Sequence, residues 1–145
     1  MYKNILIPTD GTVLSESALE KGLKFAKEIG AKVVVMTTIE PAPMMVAASV
    51  QIAEMQGRYH QHASETANQH LAQAQAKAKA AGVTCETTLV EHDHPYQAII
   101  ETAAKKGCDL IAMASHGRRG ISALVLGSET TKVLTHSAIP VLVFR

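Results

Sequence analysis

The chain has no tryptophan, and only two phenylalanines and three tyrosines stand among its 145 residues. So few rings leave little surface on which unpaired bases could stack, which argues against a single-stranded nucleic-acid binder. Charge of one sign is equally scarce: 14 Lys and Arg against 13 Asp and Glu leave a formal net charge of +1. Nucleic-acid partners usually require a strongly basic face, and none is expected here. No apolar run approaches the roughly 20 residues that cross a bilayer, so no membrane partner is expected either. Tyr2 to Pro8 reads as a strand, without the basic n-region and apolar h-region of a secretory signal. The two cysteines, Cys85 and Cys108, lie far apart and in no CxxC or zinc-ligand spacing, so both are expected as buried, reduced thiols. These absences together fit a cytoplasmic protein. Stock motifs are missing too. Without GxxxxGK(S/T), without GxGxxG in the first strand-to-helix turn and without GxSxG, the chain supports neither a P-loop NTPase, nor an NAD-binding domain, nor a serine hydrolase elbow.

What is present is ordinary for one globular domain: 47% apolar and 19% charged residues in a chain long enough to bury a core. Four continuous β-rich runs stand out, Ile5–Ile7, Val33–Met36, Leu110–Met113 and Val141–Phe144. Continuity rather than alternation suits parallel strands covered on both faces. A fifth, more polar run, Thr84 to Val90, reads as a strand nearer an edge. Helical spacing links Ala18, Leu19, Gly22, Leu23 and Ala26, with Ser15 or Ser17 as N-cap and Gly30 as the stop. Ala63, Ala67, Leu71, Ala74, Ala78 and Ala81 form a stripe on a long helix ending at Gly82. Pro95 opens a third helix that stops at Gly107, and a fourth begins near Ser128. The order β-α-β-α-β-α-β-α-β predicts a single α/β domain over residues 1–145. It is an open, five-stranded parallel sheet with helices on both faces and strand order 3-2-1-4-5. The stretch from Ile39 fits least well: Pro41, Pro43, Met44 and Met45 read as a loop. Met44 to Val50 is either a flap over a ligand or, the preferred reading, the first turns of the long helix packed on the core.

In such sheets ligands bind beyond the C-terminal strand ends, where the winding reverses. The loops expected there are Pro8-Thr9-Asp10-Gly11 and Ala114-Ser115-His116-Gly117-Arg118-Arg119-Gly120, the second running on to Gly127-Ser128 at a helix start. Glycines let backbone amides close on an anion, and a helix N-terminus offers unpaired N–H groups and a favourable dipole. Ser128 adds a hydroxyl, and Arg118 and Arg119 add charge. A flexible loop with an ordinary helix cap is the alternative.

These residues carry a resemblance. Ile5-Leu6-Ile7-Pro8-Thr9-Asp10-Gly11 with Ser15 and Ala18-Leu19 resembles the opening of a universal stress protein. Ser115 to Gly120, Gly127-Ser128, Val133-Leu134 and Ile139 to Val143 resemble its close. The resemblance spans essentially the whole chain and implies a Rossmann-like fold of the adenine-nucleotide-hydrolase kind. The ATP-binding branch carries Gly-x2-Gly-x9-Gly-Ser/Thr; here Gly117, Gly127 and Ser128 match, and Ala114 replaces the first glycine. The resemblance implies Asp10 near the adenosine, with Pro8 and Thr9 shaping the pocket, and Thr38 reading the adenine edge through its backbone. Met113 and Ala114 would line the sugar side. Amides of Ser115, His116, Gly117, Arg118 and Arg119, and of Ser128, Glu129 and Thr130 beside Gly127, would hold phosphates. The Glu129 side chain either points away or helps hold a divalent metal.

The reading that follows is an ATP (or ADP/AMP) binding regulatory protein of the stress-response type. It would act with Mg²⁺ or Mn²⁺ and with little or no catalysis. The alternative is a nucleotide-free interaction module acting through a dimer surface. Pro140 near the start of an apolar final strand suits a sheet edge, and the resemblance implies a homodimer through residues 139–145. Other features read as ordinary structure. His60 and His62, two apart, do not share a helix face. His92 and His94 flank Asp93 in a loop, as metal ligands or, preferred, as solvated histidines. His116 reads as loop packing over a base. Asp109 reads as a turn residue, and Lys105-Lys106 as helix-dipole partners.

Overall fold

The computed structural model describes residues 1–42, 49–117 and 125–145. Among them β1 (Asn4–Pro8), α1 (Val13–Ile29), β2 (Lys32–Ile39), α2 (Val50–Ala81), β3 (Cys85–Glu91), α3 (Pro95–Lys105), β4 (Leu110–Ala114), α4 (Ser128–His136) and β5 (Val141–Phe144) follow one another. The strands form one parallel sheet in the order β3-β2-β1-β4-β5. This is the expected Rossmann-like architecture, with the polar strand β3 at one edge and β5 at the other.

Strand alternation sorts the core into two layers. Ile5, Ile7, Val33, Val35, Leu110 and Ala112 pack under α1 and α2 with Leu19, Leu23, Leu71 and Ala74. Leu6, Val34, Met36, Ile111 and Met113 pack on the other face with Ala98, Ile99 and Ala103 of α3 and Val133 of α4. Both faces of the central strands are thus dry, which is why their sequences run apolar without a polar alternate. Each Val, Leu, Ile or Met among them contributes about 1.5–3 kcal/mol relative to exposure. α1 sits close on the sheet at Gly22, where a Cβ would lie 2.6 Å from Ile7 Cδ1.

Helix ends follow the sequence signals with one change. Gly30 and Gly82 close α1 and α2 in the left-handed conformation, and Pro95 opens α3. The N-cap of α1, however, is Thr12 rather than Ser15 or Ser17: its Oγ1 accepts from the Ser15 N–H at 3.3 Å. Ser15 is buried behind the β1 loop instead. Ser49 caps α2, and Val50 is 76% exposed, so the first turn of the long helix faces solvent rather than the core. Pro43, Met44 and Met45 lie outside the described residues. Both cysteines are free thiols. Cys108 is buried, and burial pushes its pKa up to about 11. Cys85 is only half-buried, unlike the expectation, and burial raises its thiol too.

β1 and β4 are the central pair, although over 100 residues of chain separate them. Their ladder joins Ile5 to Leu110 and Leu6 to Ile111. Below it, Asp109 is a clamp. Its carboxylate accepts from the N–H of Lys3 at 2.9 Å and of Asn4 at 3.0 Å, and its own N–H donates to Asn4 O at 2.9 Å. Asn4 Nδ2 in turn donates to Lys106 O at 2.9 Å. Desolvation pulls the Asp109 carboxyl up, but the Asn4 and Lys3 N–H groups outweigh it and hold its pKa below the ordinary 3.8. A lowered folded-state pKa stabilises the fold above the unfolded value and loses that effect as pH falls through the folded one. Asp109→Ala is expected to cost about 1–2 kcal/mol near neutral pH, discounted from charged hydrogen bonds for partial exposure. The difference from the parent should shrink below pH 3.8. Urea titrations at pH 7 and at pH 3 measure this; an equal cost at both would show that the carboxylate's charge is not involved.

Candidate functional site

Above Leu6 and Ile111 no further β1–β4 pair forms, while β1 stays paired with β2 up to Pro8–Met36 and β4 with β5 up to Ala114–Phe144. The crevice of an open α/β sheet therefore opens between the ends of β1 and β4. Pro8 offers no N–H at this point.

The β1 loop is held from behind. Thr9 N donates to Met36 O at 2.9 Å, and Thr37 Oγ1 donates to Thr9 O at 3.1 Å. Ser15 Oγ lies 3.2 Å from Thr9 Oγ1 and accepts from Asp10 N at 3.3 Å. Asp10 Oδ1 accepts from Thr12 N at 3.0 Å and Thr12 Oγ1 at 2.6 Å, an Asx turn that fixes the carboxylate. Gly11 has φ +76°, and a Cβ there would fall 2.1 Å from Cε1 of His70, whose ring fills that space from α2. Lys77 of α2 reaches the same region: it donates to Glu16 at 2.7 Å and Glu20 at 2.9 Å, and these carboxylates raise its pKa.

The opposite wall is the exit of β4 and the entry to α4. Ser115 N donates to Phe144 O, and Gly127 N donates to Ser115 O, each at 2.8 Å. Thr130 Oγ1 donates to Ala114 O at 3.0 Å. The returning chain crosses the β4 exit so closely that a Cβ on Gly127 would lie 2.9 Å from Ser115 O and 3.1 Å from His116 Cα. Beyond the crossing, the N–H groups of Ser128, Glu129 and Thr130 begin α4 without acceptors of their own in the helix. Ser115 Oγ and His116 Nδ1 are 2.9 Å apart, and His116 Nε2 is buried without a partner. The two walls meet at Gly117, where a Cβ would lie 3.0 Å from Asp10 Oδ2.

Asp10, Ser115, His116, Gly117, Gly127 and the first turn of α4 thus come together. Thr38 stands on the neighbouring strand, opposite Val90. Met113 is buried in the layer under α3 and α4, and Ala114 ends β4, buried. Arg118 and Arg119 lie outside the described residues. Glu129 points away: its Oε2 accepts from Tyr96 N at 2.9 Å, and Oε1 accepts from Lys132 Nζ at 3.1 Å. Thr12, Thr37 and His70 also shape the site and were not expected there. Thr12 was signalled by its spacing from Ser15; Thr37 and His70 carry no local signal. Two further histidines pair with carboxylates, His60 with Glu91 at 2.8 Å and His92 with Glu101 at 3.7 Å. Among the described residues no three His, Cys, Asp or Glu side chains form a metal-binding group.

Because the atoms facing Gly127 are backbone, they yield only by moving the loop. Gly127→Ala is expected to destabilise the protein by about 1–3 kcal/mol, the range for overpacking, measured by thermal or urea unfolding. Parent-like stability would show that the crossing is loose.

The family model described as the universal stress protein family matches residues 1–145. A universal stress protein of Methanocaldococcus jannaschii is 30% identical over 145 residues, covering all of this chain and 83% of that protein. One from Thermus aquaticus is 30% identical over the full length of both. The solved structure of MJ0577 superposes with a TM-score of 0.83 at 27% identity, over 99% of this chain and 95% of that one. A universal stress protein solved in complex with cAMP shares the fold at a TM-score of 0.70 and 24% identity, over 99% and 97% of the two chains.

Proposed function

The chain belongs to the universal stress protein family, and on that premise we propose that it is a cytoplasmic regulatory protein that binds an adenine nucleotide between β1, β4 and α4. One observation carries this reading: the glycine crossing at Gly127 leads straight into the first turn of α4, beside an unpartnered imidazole nitrogen of His116. Backbone N–H groups, a helix dipole and a buried donor or acceptor in want of a partner form a suitable anion cradle. Solved family structures with cAMP and with dAMP support an adenine ligand. In this reading Pro8, Thr9 and Asp10 shape the adenosine pocket, and the Thr38 backbone reads the adenine edge. Met113 and Ala114 face the sugar. The amides of Ser115 to Gly117 and Ser128 to Thr130 take the phosphates of ATP, ADP or AMP, with Arg118 and Arg119 adding charge. Mg²⁺ or Mn²⁺ would enter with the phosphates, since Asp10 supplies one carboxylate and Mg²⁺ is commonly held by one or two carboxylates plus phosphate and water. Binding is favoured over catalysis because the Ser115–His116 pair has no carboxylate behind it to orient a base.

The experiment is calorimetry of the parent and of Gly117→Val with ATP and GTP. The parent is expected to bind ATP at least tenfold better than GTP, about 1.4 kcal/mol. Gly117→Val should lose binding while keeping its circular dichroism, because its Cβ meets the side-chain end of Asp10 rather than backbone. If Gly117→Val stays folded and binds ATP like the parent, the loop is only a loop and the nucleotide-free interaction module takes its place.

We also propose a homodimer through residues 139–145. β5 is an apolar edge strand, only partly buried, and Pro140 leads into it. Such an edge invites a partner strand, and a two-fold pair is the simplest cover. Sedimentation at micromolar concentration should give twice the 15.5 kDa chain mass; a monomer alone would sink the proposal.

A further inference from the structure

We propose that Glu129 is a positioning residue: its carboxylate ties the first turn of α4 to the first turn of α3 and so aims the α4 amides at the ligand. The inference rests on the anion-cradle reading of those amides. α3 begins at Pro95, and its N-cap, His94, makes no side-chain cap hydrogen bond. The missing acceptor comes from another helix, because Glu129 Oε2 takes the Tyr96 N–H at 2.9 Å. The second oxygen, Oε1, takes Lys132 Nζ at 3.1 Å, and Lys132 stands 5.5 Å above the Tyr96 ring, which lies 5.3 Å from the His136 ring. One side chain thereby closes a ring of contacts from α4 to α3 and back to α4.

The location gives the contact its meaning. Glu129 is the second residue of a helix whose first-turn N–H groups have no acceptor within the helix, and a carboxylate there would by default fold back over those groups. It would then compete with any bound anion. Drawn off to Tyr96, it leaves the α4 amides open while Gly127 N and Thr130 Oγ1 anchor the same turn to Ser115 O and Ala114 O. The turn is held on two sides, by β4 and by α3, and its third side is the cradle. The negative charge stays near the site, partly offset by Lys132, so charge and positioning act in opposite directions on an anion.

Two variants separate them. Glu129→Gln keeps an oxygen acceptor for Tyr96 and removes the charge, whereas Glu129→Ala removes both. In ligand-free protein, hydrogen exchange should rise about tenfold or more over residues 95–98 and 127–131 in Glu129→Ala and stay near parent in Glu129→Gln. Calorimetry with ATP should show several-fold weaker binding for Glu129→Ala and equal or tighter binding for Glu129→Gln. Parent-like exchange at both turns in Glu129→Ala overturns the inference, as does raised exchange with parent-like ATP affinity in that variant. A parent that binds no ATP rejects the nucleotide reading instead, and the exchange data still decide whether Glu129 holds the two turns.

Discussion

The pairing of β1 with β4 governs this molecule. It is where the winding reverses, since β2 and β3 extend the sheet one way and β5 the other. At its lower end it is tied by a carboxylate, Asp109, that accepts from two consecutive backbone N–H groups. At its upper end it is released after two residue pairs. A closed lower end and an open upper end give a wedge, and a wedge between rigid strands places the two loops within reach of each other. The clamp fixes relative strand height, so the loops meet in register.

What lines the wedge follows from that height. The β1 loop turns away at once into α1, with Asp10 locked by Thr12 and Gly11 pressed under the His70 ring. On the other side, Gly127 crosses back over the exit of β4 at Ser115 and His116. Neither wall is built by its own sequence neighbourhood alone. Thr37 and His70 support one, and Phe144 and Tyr96 support the other through backbone groups and Glu129. Much of the rigidity of the two loops is thus borrowed from β2, α2, α3 and β5, with Thr12 and Ser15 adding local support to the first.

That division explains what could be seen in the sequence. Strands buried on both faces must be apolar throughout, so Ile5–Ile7, Val33–Met36 and Leu110–Met113 announced themselves. Gly30, Gly82 and Pro95 declare helix ends by backbone sterics alone. The spacing of Gly117, Gly127 and Ser128 was legible through the family resemblance, whereas the close crossing at Gly127 was not visible in the sequence. Residues whose role depends on a distant partner were not legible either. Ser15 and Ser17 both read as caps in the sequence, and only the packing of Ser15 against Thr9 shows why Thr12 takes that place. The Glu129 carboxylate had two plausible directions until the unsatisfied turn of α3 was in view. His70 looked like one more polar residue on a long helix, because nothing local says that Gly11 lies beneath it. The exposed start of α2 was missed because apolar residues there suggested burial.

The clamp at Asp109 also bears on how the chain is made. β1 is synthesised more than 100 residues ahead of its second neighbour, β4. At typical elongation rates that interval is on the order of 5–20 s. Throughout it, the edge of β1 that β4 will occupy is unpaired, and the layer that packs on α4 lacks that helix. Only with residue 109 in place can the lower ends of the two central strands be joined and the sheet completed outward to β5. A nascent chain of this topology depends on late residues for its earliest strand, which makes the interval before Asp109 emerges the period of greatest exposure to misassociation.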